Sequence, residues 1–585
     1  MTDTATLLQL INRLRLPPQE LSELSFCQSA KPARVSAWAS LLPVTRTTHT
    51  SVLLYKALPE VSRLNTSADN RLAILEALRD CVQQCIQGLA ADFLDQPLIL
   101  PETAMKTAII AQALQKHMTA GYCQVVKDLL LKRGNSRWRK DDSEQLTLAL
   151  HRALTGLGLQ YLRNSQIYSQ VSSQLWLEIH TLYRIAEITG LQHQAASDNL
   201  LRQLPASTIQ QTYCRTLLLS AAGPNQLQQQ EVYTLYNALE EWSRAVTIDT
   251  VHSPEPALYC VDLADSYPPG YSSTWPDNKP RPATLRALRF GHLLDLVQDS
   301  AGASQGGTGL PQRLNQRLTQ HLLTSWGEER HRKPTRRPSN TPLEVVVGLT
   351  QAHYHLSQQR TFDQFLSDAS ALGHRSITSS QFNSQSTGLK DPWADAPDAE
   401  KLGGSILELS LDDYRAQAKA AKTTKVVDQN RYPIYQVHTS DTSSGGYCLE
   451  WHGEIPPQAR AGELIAFREP GRPLWSLAVI RWARQHRDSS QLGVQIIAQQ
   501  LVPVAAQQRA TSGSNVYMRA FIASRGGPEM NQQVLITAAV PFREGNKVMV
   551  RDNQEEMLLH LTKLEFSASS VCLFSYRHLH REFPE

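Results

Sequence analysis

Tyr432-Pro433-Ile434-Tyr435-Gln436-Val437, then Asp441-Thr442-Ser443-Ser444-Gly445-Gly446, then Tyr447-Cys448-Leu449-Glu450-Trp451 is the stretch whose reading decides the fold. Two alternating apolar segments flank a short polar, glycine-bearing run, the pattern of a β-hairpin. The turn carries a carboxylate at Asp441 and a hydroxyl at Ser443, oxygen acceptors suited to the N–H edge of a guanine. Gly445 and Gly446 leave the main chain bare, so a flat ligand can come down on it where a Cβ would obstruct.

The spacing Asp441-x-Ser443-x-x-Gly446 resembles the D/N-x-S-x-x-G motif of PilZ domains, the small β-barrels through which bacteria sense cyclic di-GMP. Downstream, Ala461-Gly462-Glu463-Leu464-Ile465 is similar to the strand after a G-E turn. Trp475 to Trp482 resembles the strand that ends in an R-W pair, and Leu492-Gly493-Val494-Gln495-Ile496-Ile497 resembles the G-V-x-F/L strand. A lone D-x-S-x-x-G is weak, because Asp, Ser and Gly populate every turn. Four matches in one order are specific, and they cover roughly 411–505.

The resemblance implies an R-x-x-x-R arm ahead of the first strand, gripping phosphate and the guanine O6/N7 edge. None stands between 411 and the hairpin; Arg415-x-x-x-Lys419 keeps the spacing with one residue changed, beside Lys422, Lys425 and Arg431. Lysine brings charge without the planar fork. Losing one charge-assisted pair costs about 1.5–3 kcal/mol, roughly ten- to a hundredfold in affinity. The ligand set implied is therefore Arg415, Lys419, Asp441, Ser443, Gly445 and Gly446, with binding either weakened by a degenerate arm or absent.

At 585 residues the chain is too long for one core, which implies about three or four domains. With 41% hydrophobic and 19% charged residues it reads as an ordinary globular protein, and a net charge of +4 does not mark a binder of nucleic-acid polymers. The eight cysteines are scattered without a C-x-x-C, so neither a disulfide framework nor a zinc site follows. Met1 to Ile11 lacks the basic start and apolar core of a signal peptide, and no apolar run is long enough to span a bilayer. A cytoplasmic location without membrane insertion is expected.

The pattern predicts a multidomain α+β chain. Residues 1–250 read as an N-terminal all-α helical bundle or solenoid-like region, with Asp69 as a cap for the helix from Arg71 and Pro101 opening the next. Residues 251–369 read as a mixed, mainly helical continuation with linkers, including a helix over Ala283 to Val297. Within it, Arg330-His331-Arg332-Lys333-Pro334-Thr335-Arg336-Arg337-Pro338 is the densest basic run, a connector able to meet a phosphate-rich ligand or an acidic partner. Leu343 to Leu349 is β-like and passes into a helix carrying His353 and His355. Residues 370–410, rich in Ser, Gly, Asp and Pro, read as a flexible inter-domain linker. The PilZ-like antiparallel β-barrel is placed at 411–505 and a second small β-rich domain at 515–585.

No H-E-x-x-H or Walker A sequence is present, and no catalytic or metal residue is assigned. The expected function is a non-catalytic regulatory adaptor with cyclic di-GMP as regulatory ligand and a protein partner on the helical region. The overall layout resembles bacterial effectors linked to type IV pili, motility and surface attachment. The alternative is a ligand-independent interaction scaffold with a degenerate PilZ domain.

Overall fold

A computed structural model describes residues 2–579 apart from 97, 99, 134–138, 251–256, 276–279, 303–313, 330–335, 368–431, 444, 454, 486–488, 510–515, 526–531 and 553–555. The first 246 residues form α1 (Thr2–Ile11), α2 (Pro32–Ser40), α3 (Thr47–Arg63), α4 (Ala68–Phe93), α5 (Glu102–Arg133), α6 (Lys140–Gln166), α7 (Ser173–Thr189), α8 (Ile209–Ala221) and α9 (Gln229–Trp242). A two-strand hairpin, β1 (Ala195–Ser197) with β2 (Ala206–Thr208), interrupts them between α7 and α8. The cap of α4 is Ser67 rather than Asp69: the Ser67 side chain accepts from the Asn70 N–H, which leaves Asp69 in the first turn facing the positive helix end. α5 packs between α4 and α6, and a continuous core runs through the helical region.

Asp198, in the loop joining β1 to β2, ties these helices together. It accepts from Arg79 of α4 at 2.8 and 2.9 Å and faces Arg152 of α6 at 3.2 Å, while Arg152 also bonds Glu76. Burial works against the charged carboxylate, yet Arg79 and Arg152 hold Asp198 below its usual 3.8.

The expected helix over 283–297 is a strand and then a helix. β6 (Leu285–Arg289) turns inward Leu285 and Ala287 at a period of two, and Arg286 reaches out to Glu187 at 2.8 Å. It joins β3 (Thr247–Thr250), β4 (Tyr259–Asp262) and β5 (Gly270–Tyr271) in the order β3-β6-β4-β5. Gly291, at φ +48, turns the chain into α10 (Leu293–Gly302), which packs on α11 (Gln316–Gly327).

The first barrel starts earlier than residue 411. Its strands are β8 (Pro342–Val347), β9 (Tyr435–Ser443), β10 (Gly446–Trp451), β11 (Leu464–Arg468), β12 (Ser476–Gln485) and β13 (Ser490–Ala498), with β7 (Arg337–Pro338) laid along β9. The order β10-β13-β12-β11-β8-β9 closes through β9 and β10. β8 is the first barrel strand because Val345 and Val347 fill the interior beside Val437, Leu449 and Ile480. The chain leaves β8 through α12 (Leu349–Leu356) and α13 (Phe362–Ser367) and returns at β9, directly paired to β8. The 370–410 stretch, outside the described residues, is thus an insertion within one barrel rather than a link between domains.

Two glycines permit closure. A Cβ on Gly446 would stand 1.9 Å from the Val494 carbonyl oxygen, and one on Gly493 would stand 2.0 Å from Nε1 of Trp482, the indole of the R-W pair. Strands β14 (Leu501–Gln508), β15 (Met518–Arg525), β16 (Gln532–Ala538), β17 (Lys547–Arg551), β18 (Glu556–Ser567) and β19 (Val571–His578) close a second antiparallel barrel in the order β14-β15-β16-β19-β18-β17. α12 packs between the barrels, its His353 bonded to the Val504 carbonyl and edge-on to Phe365.

Asp198→Asn should cost about 3–5 kcal/mol in urea unfolding, because it leaves the buried Arg79 guanidinium without its carboxylate, while Arg152 keeps Glu76. Gly446→Ala should cost about 1–3 kcal/mol, since the added carbon meets backbone that cannot swing aside. Burial holds His117, His151, His180 and His353 at about 4, below their usual 6.5. The unfolded chain binds protons at these rings first, so their neutral burial favours the fold fully above 6.5 and progressively less down to about 4. A thermal melt series should therefore show the midpoint falling across that interval.

Candidate functional site

β9 and β10 pair with Ser443 opposite Gly446, so the hairpin turns through 444 and 445. Register shifts at Cys448/Leu449, where Ser440 is the extra residue of a bulge, and this added twist displays the hairpin end. Ser443 donates its Oγ hydrogen to the Gly446 carbonyl at 3.2 Å, which fixes the hydroxyl and leaves its lone pairs outward-capable as acceptors. The Gly445 carbonyl accepts from the Ile496 N–H at 3.0 Å, and a Cβ on Gly445 would meet nothing within 4 Å. The two glycines therefore differ. Gly446 is buried and its missing side chain serves the packing of β10 on β13, whereas the space above Gly445 is open.

Asp441 lies on β9 opposite Cys448 and is partly exposed. Arg336 donates from Nη1 to its Oδ2 at 2.9 Å, with the two side chains 39% and 27% exposed. β7 holds the arginine there by pairing Arg337 with Thr442 and Pro338 with Asp441. Behind it, the Thr439 hydroxyl donates to Ser339 Oγ at 2.8 Å and accepts from the Thr341 N–H at 2.9 Å, pinning the connector to β9. The basic run thus ends on the polar turn.

Asp441, Ser443, Gly445 and Gly446 come together in this hairpin, and Arg415 and Lys419 fall in the segment outside the described residues. The structure adds Arg336, a member of the basic run 330–338, to this group. Its signal was legible, since Arg332-x-x-x-Arg336 has the arm spacing intact, with Arg332 outside the described residues. This spacing stands ahead of β8, the first strand of the barrel.

Three family models match the chain in succession: the N-terminal domain of the cyclic-di-GMP receptor FimW over 33–255, its middle PilZ domain over 258–503 and its C-terminal β-barrel domain over 504–579. The cyclic-di-GMP receptor FimW of Pseudomonas aeruginosa is 30% identical over 587 residues, spanning 96% of this chain and 93% of that protein. No solved structure matches. The middle match takes in both β8 and the basic run ahead of it, in agreement with the barrel found here. The chain belongs to the FimW family of PilZ-containing cyclic-di-GMP receptors.

Proposed function

We propose that this chain is a non-catalytic regulatory adaptor that binds cyclic di-GMP at the β9–β10 hairpin. The observation that supports this reading best is the Arg336–Asp441 contact at 2.9 Å, which sets one end of an intact R-x-x-x-R spacing against the D-x-S-x-x-G turn. In this reading Arg332 and Arg336 grip phosphate and the guanine O6/N7 edge in bidentate fashion. Asp441 and Ser443 accept from the guanine N–H groups, and Gly445 offers open backbone. Gly446 acts one step removed, by seating the turn against β13.

The Arg336–Asp441 pair is exposed, and such pairs are worth at most about 1 kcal/mol. Ligand can therefore draw Arg336 away from Asp441 at small cost, and an arm reordered over the nucleotide becomes the signal. A protein partner on the helical region reads it, in the cytoplasm. Among the described residues no helix is long and apolar enough to cross a membrane. The process served, type IV pili or surface attachment, belongs to the proposal through the PilZ resemblance alone.

Calorimetric titration of the full chain with cyclic di-GMP tests the reading. Saturable binding is expected, weakened roughly ten- to a hundredfold by Arg336→Ala or Asp441→Ala, with Arg415→Ala and Lys419→Ala near wild type. The reverse ranking would return the arm to 415–419. No heat at high micromolar ligand would favour the ligand-independent scaffold. Gly445→Val separates the two glycines: it should weaken binding while the urea midpoint stays unchanged, because its side chain enters only the space that the ligand would fill.

A further inference from the structure

A second concave site lies in the helical region, built from elements the hairpin does not touch. α4, α5, α6, α8 and α9, with the loop from β1 to β2, surround a cavity of about 120 Å³. An apolar cavity of roughly 150 Å³ holds a benzene. This one has a different wall: Gln83, Gln87, Gln112, Gln115, Gln160 and Gln211 line it together with three arginines, Arg163, Arg202 and Arg215.

The charge balance of that wall is uneven. Its two carboxylates are already engaged, Asp198 by Arg79 and Arg152, and Glu240 by the backbone N–H groups of Arg202, Gln203 and Leu204 at 3.0, 2.7 and 2.8 Å. Arg215 stands 3.7 Å from Glu240 and donates twice to the Tyr236 carbonyl, at 3.0 and 2.8 Å. Arg163 has no such partner. Its Nη1 donates to Gln166 Oε1 at 3.0 Å and its guanidinium lies 5.1 Å from the Phe93 ring centre, with no carboxylate in ion-pair range among the described residues. Arg163 is half-buried, and desolvation pushes it down to about 10. Arg202, exposed at the rim over the Tyr233 ring, also has no acid in ion-pair range among the described residues. The buried Asn237 amide nitrogen, another wall group, has no acceptor among the described residues.

A half-buried guanidinium without a carboxylate beside it has donors to spare, and an oxyanion presenting two adjacent oxygens satisfies its fork. Ile86, Leu159 and Tyr233 supply apolar surface for the body that carries the anion. We infer that this cavity binds a small oxyanion, a carboxylate or phosphate on a compact body, held by Arg163 within and Arg202 at the rim. A cyclic dinucleotide is several times too large for the space, so the site is separate from the hairpin and stands or falls without it.

The full chain is titrated by calorimetry with sodium benzoate and, separately, with inorganic phosphate, at fixed ionic strength against a chloride control. Saturable one-site heat is expected with at least one of them, and which one identifies the carboxylate or the phosphate as the group recognised. Arg163→Gln should weaken that binding roughly ten- to a hundredfold, and Arg202→Gln should weaken it less. Should Arg163→Gln fail to fold, Ala111→Leu carries the test: it fills the cavity from α5, and it should abolish the heat while keeping the wild-type circular dichroism. Absence of saturable heat with both anions overturns the inference, as does heat that persists undiminished in Ala111→Leu.

Discussion

Closure of the sheet by β8 against β9 is the constraint on which the rest of the nucleotide-reading half depends. Without β8, β9 and β11 would each present an unpaired edge, and the interior filled by Val345 and Val347 would be empty. Once β8 is in register, with Pro342 opposite His438 and Val345 opposite Tyr435, the residues just before it have no freedom left. Ser339, Thr341 and β7 must run along β9, and Arg336 arrives at Asp441. Arg336 and the turn meet as a result of barrel topology.

The barrel is also seated on the helical region. Tyr168 and Leu98 pack into the barrel core cluster, the Tyr168 carbonyl accepts from the Gln485 N–H at 3.0 Å, and its hydroxyl donates to the Leu227 carbonyl at 2.9 Å. Tyr168 takes φ 55, a conformation uncommon for a side chain of that size, and is held there by contacts on both sides. Gln485 ends β12, which pairs with β13, and β13 pairs with the hairpin strand β10. The turn and the helical region are thus joined through packed, paired strands.

Much of this was legible locally. Helical periodicity marked the first half, the alternation around Asp441 marked the hairpin, and turn residues at short intervals marked the second barrel, whose strands do close. What misled was also local. Ala283 to Val297 has apolar residues that suit either period, and only pairing of β6 between β3 and β4 selects the strand. Ser67 and Asp69 are both good caps, and the angle at which the chain enters α4 chooses Ser67.

The sequence by itself determined the family, the hairpin and the chemistry it carries, because those depend on residues adjacent in the chain, where spacing is geometry. It took the folded chain to show that Arg336 meets Asp441, which glycine is packing and which is open, and which arginine in the helical region is left without an acid among the described residues. Each of those depends on strands or helices far apart in sequence meeting in one register, and no local pattern encodes the partner a side chain will find.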